Sequence, residues 1–258
     1  LKNLEVLLPP LPEQHAIAAF LDGKCAVIDK AVRIKEEQIR LLAERRQILI
    51  QQAVTRGLNP DAPMKDSGID WIGQIPAHWE QLAQKHIFRL KKNLVGKRAP
   101  EYDLLSLTLR GIIKRDMENP EGKFPAEFDS YQEVSHGDFV FCHFDVQETP
   151  RTVGLSGLDG MITGAYTIYE IIADYDPLYL LYFHLFSDTD KKLRGLYKGL
   201  RNTITKDVFA AFKIPFPAKE EQYQIVSFID EQTSKVEKAI SIKETEITIL
   251  KEYKTTLI

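Results

Sequence analysis

The chain has 258 residues, of which 44% are hydrophobic and 28% charged, and its formal net charge is −3. This length is sufficient for one large core or two smaller ones. No run of about eighteen uncharged apolar residues and no N-terminal signal pattern occurs, which argues against a membrane protein and predicts a cytoplasmic one. Cys25 and Cys142 lack the spacing of a zinc site or a redox pair, so both are expected to be free thiols.

An internal repeat organises the chain. Residues 13–50 align without a gap to residues 221–258, and 15 of these 38 positions are identical, among them Gln14/Gln222 and Phe20/Phe228. Such similarity indicates a duplicated segment. We expect a first conserved helix over 13–56 and a second over 218–258.

The apolar residues of both copies follow a heptad pattern over four to five heptads, which is typical of a coiled coil. Charged residues interrupt the apolar seam at equivalent places, Lys35 in one copy and Lys243 in the other. Because matched interruptions favour one register, we predict that the two helices pack antiparallel on each other. The alternative is that each helix caps its own globular domain. The predicted interface consists of Leu21, Ile28, Val32, Lys35, Ile39, Leu42, Leu49, Ile229, Val236, Ile240, Lys243, Ile247, Leu250 and Leu257.

Between the repeats, residues 57–74 contain Pro60, Pro63, Gly68 and Gly73 and are predicted to be a linker. Residues 75–217 then form an independent mixed domain. Strands are expected within Leu104–Ile113, Asp138–Phe144 and Met161–Ile172, and helices at Leu178–Phe186 and Lys191–Tyr197. The predicted fold class is therefore α+β, with one globular domain flanked by two long helices in an antiparallel coiled coil.

No catalytic motif is convincing. Asp176-Pro-Leu-Tyr179 resembles an adenine methyltransferase tetrad but lacks its second proline, and we interpret it as chance. Glu121 and Lys123 have the Glu-x-Lys spacing of one nuclease motif, although a surface turn that contains Pro120 explains these residues better. Histidine pairs with zinc-ligand spacing are absent, so no metal site is predicted. The central domain is expected to bind rather than to catalyse.

Two basic segments, 85–98 and 191–206, could grip phosphates, and polar loop residues could read base edges. The alternative is that both segments are simply solvated surface. The candidate DNA-contacting residues are Lys91, Lys92, Lys97, Arg98, Arg110, Lys114, Arg115, His143, Asp145, Gln147, Arg151, Thr152, Lys198, Arg201 and Asn202.

Several sequence landmarks resemble the specificity subunit of type I restriction–modification systems. They are Pro9–Gln14, Val54–Pro60, Lys65–Glu80, Gly137–Phe141, Gly160–Tyr166, Ile214–Pro217 and Glu221–Gln222. The resemblance covers nearly the whole chain, and the stretch from Trp71 to Trp79 is its most specific part.

The resemblance implies a target recognition domain that reads part of a split DNA sequence, with helices that act as a spacer and dock methyltransferase subunits. It implies no catalytic residue and no cofactor in this chain. S-adenosylmethionine, ATP and magnesium are expected only in the partner subunits, which include a restriction and translocation subunit. The expected partners are thus double-stranded DNA and these subunits, and no association with a membrane is expected. The rival interpretation is a coiled-coil scaffold that binds protein and not DNA.

Residues 1–12 resemble only the tail of a preceding recognition domain, which suggests a truncated or half-length subunit. A half-length subunit would pair with a second copy and read a symmetric split site, because a two-fold axis relates the two recognition domains.

Overall fold

The computed structural model describes residues 8–116, 128 and 130–257. Glu121 and Lys123, which we interpret from the sequence as part of a surface turn rather than a nuclease motif, lie outside these residues, as does most of the predicted domain tail at the start of the chain. The chain forms two compact units. Of the described residues, those within 8–49 and 230–257 form one unit, the helical unit, and those within 50–229 form the other, the globular unit.

Four α-helices and twelve strands make up the described structure, together with short 3-10 segments. In chain order they are α1 (Leu11–Arg56), β1 (Met64–Asp66), β2 (Gln74–Pro76), β3 (Glu80–Ala83), β4 (Phe88–Lys91), β5 (Leu105–Thr108), β6 (Gly111–Lys114), β7 (Gln132–Val134), β8 (Phe139–Phe141), β9 (Val153–Leu155), β10 (Gly160–Ile162), β11 (Thr167–Ile171), α2 (Pro177–Asp188), α3 (Lys206–Ala211), β12 (Lys213–Phe216) and α4 (Lys219–Leu257). None of the described helices is long and apolar enough to cross a membrane.

In the helical unit, the segments of α1 and α4 run antiparallel. The ion pairs between the two helices show the direction, because residues with higher numbers in α1 pair with residues that have lower numbers in α4. The pairs are Asp29–Lys254 at 2.7 Å, Lys35–Glu246 at 2.7 Å and Arg46–Glu237 at 3.5 Å. The predicted fold class, with two long antiparallel helices and a mixed α/β domain, is confirmed.

The predicted seam positions lie on the inner sides of these helices. Ile28, Val32 and Val236 are buried in the helical unit, and the other seam residues of that unit are half-buried. The interrupting lysines both reach one carboxylate, since Glu246 Oε2 lies 2.7 Å from Lys35 Nζ and 3.1 Å from Lys243 Nζ. Ile229, the remaining predicted position, is 1% exposed in the globular unit.

The segment predicted as a linker, 57–74, is part of the globular unit. β1 pairs with β2 in an antiparallel hairpin, and Ile72 and Ile75 join the main core. Gly68 and Gly73 adopt positive φ angles of 67° and 70° in this compact segment. Its glycines and prolines thus shape tight turns, which have the same composition as a linker, and the expectation of a linker was wrong.

A four-stranded antiparallel sheet, in the order β4-β11-β8-β9, forms the centre of the globular unit. Phe139 and Phe141 of β8 pack with α2 in the main core, whereas Val140 points to a second cluster with residues of β5 and β10. All three residues of β8 are buried because both faces of the sheet are covered. This explains the continuous apolar sequence of the strand.

The Asp176-Pro-Leu-Tyr179 tetrad begins α2. Asp176 Oδ1 accepts hydrogen bonds from the backbone N–H groups of Leu178 and Tyr179, at 2.8 and 3.0 Å. Pro177 occupies the first turn, where its missing N–H costs nothing. The tetrad is an N-cap that fixes the start of the helix.

Two predicted strands are each divided. Leu104–Ile113 forms the β5–β6 hairpin, with its turn at Leu109–Arg110, and Met161–Ile172 contains β10 and β11. The predicted helix at Lys191–Tyr197 is a kinked 3-10 segment, in which Lys191 has a φ of 50°. The lysine, leucine and arginine of this segment favour an α-helix, but ion pairing of Lys191 with buried Asp188 holds the kink.

Three sequence landmarks from distant parts of the chain meet at the base of the globular unit. Trp79 is 1% exposed, and its Nε1–H donates to Glu221 Oε2 at 2.9 Å. Gly57 ends α1 with a φ of 71°, and a Cβ placed there would lie 3.0 Å from Glu221 Oε1 and 3.1 Å from Trp79 Cζ2. These motif residues therefore support the domain rather than form a binding surface.

Candidate nucleic-acid interface

Three loops of the globular unit converge on one surface, which we call the three-loop face. It comprises the β5–β6 turn at Leu109–Arg110, the segment 144–151 after β8, and the turn 198–203 before α3. Backbone hydrogen bonds join the last two, since Asp145 N–H donates to Arg201 O at 2.7 Å and Ile204 N–H to His143 O at 2.8 Å. Of the residues predicted to contact DNA, these loops contain Arg110, Asp145, Gln147, Arg151, Lys198, Arg201 and Asn202.

Arg151 connects the β5–β6 turn to this surface. Its Nη2 donates to the Leu109 carbonyl oxygen at 2.9 Å. A half-buried guanidinium thus has a structural contact as well as donors that face outward. We infer that Arg151 positions Arg110, the exposed neighbour of Leu109 at the tip of the hairpin.

A guanidinium–carboxylate pair dominates the centre of the three-loop face. Asp145 accepts from Arg201 Nη2 at 2.5 Å and from Arg201 Nε at 3.1 Å, and the Arg201 guanidinium lies 5.1 Å from the Phe144 ring centroid. The hydrogen bond from Arg201 lowers the pKa of Asp145 and, in return, raises the pKa of Arg201. Both groups stay charged at neutral pH, and two bonds fix the plane of the guanidinium.

A second polar pair lies beside the first. Asn202 Nδ2 donates to Glu148 Oε1 at 3.1 Å, and Asn202 has a positive φ of 44°, which this side chain tolerates better than most. The exposed side chains of Gln147, Lys198 and Arg110 have no hydrogen bond or ion pair to another described residue. The face therefore offers amide and guanidinium donors together with two carboxylates.

His143 and Thr152, predicted to contact DNA, are each only 8% exposed. His143 Nε2 is hydrogen-bonded to the Tyr169 hydroxyl at 3.2 Å, and burial, aided by the Lys206 charge, lowers the pKa of the imidazole to about 4. Thr152 binds Asp188 through its backbone N–H and hydroxyl, at 2.9 and 2.7 Å. Both side chains are committed to the interior of the domain and do not reach a duplex, so these two assignments are corrected.

The assignment of Lys91 as a DNA-contacting residue is also corrected. Its ammonium group is largely buried, 2.6 Å from Asp138 Oδ2 and 2.8 Å from Ser135 Oγ. The pair anchors the β7–β8 connection to the central sheet. An ammonium group held in this way is not available for phosphate.

The remaining basic candidates lie on other parts of the globular unit. Lys92 and Lys97 are exposed, Arg98 approaches Glu133 at 3.8 Å, and Lys114 pairs with Asp103 at 2.8 Å. Arg115 is half-buried, and its backbone N–H donates to Leu104 O. Acidic neighbours thus neutralise part of the positive charge that the sequence suggested.

Sequence reasoning missed several residues of the face. Phe144 lies under the Arg201 guanidinium, Glu148 orients Asn202, and Leu109 and Leu200 form the tips of two loops. The Leu-Arg dipeptide stands at both tips, 109–110 and 200–201, but it also occurs at 193–194 inside the 3-10 segment, so it could not have identified the tips by itself. Among the described residues, no group of three or more His, Cys, Asp or Glu side chains could hold a metal ion.

Comparison with known proteins gives a family for part of the chain. Residues 162–249 match the family of the type I restriction modification DNA specificity domain. This segment includes the turn 198–203 and the first thirty-one residues of α4.

Solved structures share the fold. A chain from a structure on complex assembly and conformational transition of the type I R-M system is 16% identical, with a TM-score of 0.63, over 97% of this chain and 59% of that one. The HsdS subunit from Thermoanaerobacter tengcongensis is also 16% identical, with a TM-score of 0.52, over 97% of this chain and 58% of that one. The chain therefore spans about three fifths of the length of these relatives. The predicted resemblance is confirmed: this chain has the fold of type I specificity subunits, and its residues 162–249 match the type I restriction modification DNA specificity domain family.

Proposed function

We propose that the chain recognises a specific sequence in double-stranded DNA through the three-loop face. The observation that carries this proposal is the convergence of three separate loops, joined by hydrogen bonds, into one surface with Arg110, Gln147, Arg201 and Asn202. Arginine, glutamine and asparagine side chains can hydrogen-bond to base edges in either groove of a duplex. A rigid scaffold beneath such side chains limits the sequences that they can fit.

The Arg201–Asp145 pair supports recognition of the base sequence rather than simple attraction of the face to DNA phosphates. A guanidinium held at two atoms has a defined plane, and its remaining N–H groups point in fixed directions. Asp145 also places negative charge on the face, which disfavours non-specific approach of phosphate. Attraction to the backbone would come mainly from exposed cations such as Lys198, Lys92 and Lys97.

In this proposal the chain is the non-catalytic specificity subunit of a type I complex in the cytoplasm. It directs adenine methylation and DNA cleavage by partner subunits, which bind S-adenosylmethionine, ATP and magnesium. The family match over residues 162–249 and the shared fold support this role.

The helical unit has an exposed surface suited to the methyltransferase partner. Outward apolar residues of α1 repeat every seven positions, and two residues of α4 occupy equivalent places in the repeat. They are half or more exposed, and we call them the outer stripe: Phe20, Val27, Ile34, Leu41, Ile48, Ile242 and Ile249. A seven-residue spacing fits helical partners. We propose that helices of the methyltransferase subunits pack on this stripe.

The test is to express the chain with its methyltransferase subunit in cells that lack other adenine methylation, and to sequence the methylated adenines. We expect methylation at one split sequence, and a change or loss of that sequence with Arg201→Ala. Leu158→Ala, in a turn outside the face, is the control. Methylation without a sequence preference, or an identical motif in the Arg201 variant, would contradict readout by this face. A palindromic split motif would indicate that two copies act together.

A coiled-coil scaffold that binds only protein is the second candidate, and the outer stripe is the observation that favours it. The purified complex distinguishes the two functions by electrophoretic mobility shift. A scaffold would bind the partner yet shift no duplex at any salt concentration, whereas a specificity subunit shifts its methylated sequence preferentially.

A further inference from the structure

Leu200 is a leucine whose side chain is fully exposed. Its exposure of 104% exceeds that of every other large hydrophobic residue described, and the next most exposed large hydrophobic residue of the globular unit is Leu109 at 65%. Single exposed leucines are common on surfaces, but they are usually partly covered by neighbours. Complete exposure at the apex of a turn in the three-loop face suggests a contact with something outside the chain.

The turn that carries Leu200 is held firmly. Lys198 and Thr203 exchange both backbone hydrogen bonds, at 2.9 and 3.0 Å, and Asn202 N–H donates to Gly199 O at 3.3 Å. Positive φ angles at Gly199 and Asn202, 69° and 44°, close the turn tightly. The turn cannot fold back to cover the leucine, because its other side is bonded to Asp145.

Cations flank the leucine on both sides. Lys198 precedes it by two residues, and Arg201 follows it directly with its guanidinium fixed by Asp145. An apolar tip beside the exposed ammonium group of Lys198 and the fixed N–H donors of Arg201 suits a groove of DNA, where phosphates line the walls and base pairs form the floor. Proteins that use the minor groove combine arginine or lysine with leucine or similar wedges that separate two base pairs.

The dimensions of the turn favour the minor groove. Paired backbone segments lie about 4.8 Å apart from axis to axis, so the turn as a whole is wider than this, and only the side chain at its apex is narrow enough to enter a narrow groove. The minor groove is about 6 Å wide and the major groove about 12 Å, wide enough for a helix. A single projecting side chain would reach the floor of the narrower groove first.

We propose that Leu200 inserts between two adjacent base pairs from the minor groove and kinks the recognised duplex. This inference rests on the proposed function and adds a mechanism to it. Because the energy needed to separate two base pairs depends on their sequence, Leu200 would contribute to specificity at a step that no hydrogen bond reads.

The experiment uses the assembled complex with its methyltransferase subunit and the duplex identified by methylation sequencing. Fluorescence energy transfer between dyes at the two duplex ends reports the bend, and titration gives the affinity. We compare wild type with Leu200→Ala, Leu200→Met and Leu158→Ala. The methionine variant replaces leucine by an unbranched apolar side chain of similar size, and Leu158 is an exposed leucine in the turn between β9 and β10.

We expect Leu200→Ala to weaken binding about tenfold or more and to reduce the bend, because the apolar wedge is removed. Leu200→Met and Leu158→Ala should retain both properties. An unchanged bend with Leu200→Ala would overturn the inference. A second result would also overturn it. If replacing one thymine by uracil weakens binding of wild type but not of Leu200→Ala, the leucine contacts a thymine methyl group in the major groove.

Failure of the proposed function gives a different result. In that case the wild-type complex itself shows no preference for the methylated sequence over a scrambled duplex. The inference about Leu200 fails alone when wild type binds specifically and the variants bind and bend DNA as wild type does.

Discussion

At the scale of single residues, the landmarks that suggested a family are mostly structural. Gly57, Trp79 and Glu221 meet inside the globular unit, and Asp176, which belongs to the tetrad interpreted as chance and not to these landmarks, caps α2. Such residues are constrained by backbone geometry and burial, so they identify the fold but do not indicate the DNA sequence. The residues that would read DNA are instead exposed on loops, where many side chains can be accommodated.

Gly57→Ala should destabilise the globular unit by about 1–2 kcal/mol, because a side chain at positive φ is strained and its Cβ would press on Glu221 and Trp79. Thermal or urea unfolding measures the change. Gly23→Ala is the matched control, since Gly23 lies inside α1 with nothing within 4 Å of its Cβ position. It should be neutral or stabilising. Equal effects at both positions would contradict this packing at Gly57.

Asp145→Asn should reduce discrimination by the three-loop face. The substitution removes a negative charge and weakens the bidentate hold on Arg201, so we expect tighter binding to a scrambled duplex and a smaller ratio of specific to non-specific affinity. Titrations of both duplexes at one salt concentration give this ratio. A proportional loss of affinity for both duplexes would indicate that Asp145 serves only to stabilise the fold.

At the scale of elements, the two long helices carry two apolar surfaces with different roles. The inner seam joins α1 to α4 in the helical unit, and the outer stripe faces away from it. Sequence periodicity detected the seam, whereas the stripe became distinct only when exposure separated the two sets of heptad positions.

Leu41→Glu should abolish binding of the methyltransferase subunit and leave the helical unit folded, because Leu41 is 50% exposed and lies on the outer stripe. Co-purification measures the association, and circular dichroism measures the helix content. Gln47→Glu provides the control, since this exposed residue of α1 lies off the stripe. If both variants bind the partner equally, the stripe is not its docking surface.

Glu246 makes the helical unit sensitive to acid. Hydrogen bonds from Lys35 and then Lys243 lower the pKa of this carboxyl from 4.5. The stabilisation is therefore present above pH 4.5 and is lost as the pH falls through the lowered pKa.

We expect Glu246→Gln to lower the melting temperature of the helical unit at pH 7 and to differ less from wild type near pH 3. Circular dichroism melts at several pH values measure this. The exposed Glu252→Gln variant should show a smaller difference at pH 7. A constant difference between Glu246→Gln and wild type at all pH values would contradict the assigned ion pairs.

At the scale of the whole molecule, the formal charge of −3 disfavours DNA, so attraction must come from local cations. Lys92→Ala combined with Lys97→Ala should make the slope of log affinity against log salt shallower by about two, roughly one for each phosphate that is no longer neutralised. Lys213→Ala, at an exposed position of β12, is the control. An unchanged slope in the double variant would remove the 92–97 segment from the proposed interface.

The long helices, their antiparallel pairing and the α+β class could all be predicted from the amino-acid sequence. These features depend on heptad spacing, duplication and strand-forming runs, which are local or periodic properties of a linear chain. The same pattern could not distinguish a linker from the β1–β2 hairpin, since Gly and Pro serve both. It also could not show that Leu104–Ile113 reverses at Arg110.

Which of the candidate DNA-contacting residues share a surface depends on how the chain packs in three dimensions. His143, Thr152 and Lys91 are polar residues in a promising segment, yet burial and partners from distant parts of the chain give them structural roles. Arg110, Asp145 and Arg201 are far apart in sequence but lie on loops that hydrogen bonds join. Exposure and long-range contact are properties of the packed chain, and therefore the interface could be proposed only after the fold was known.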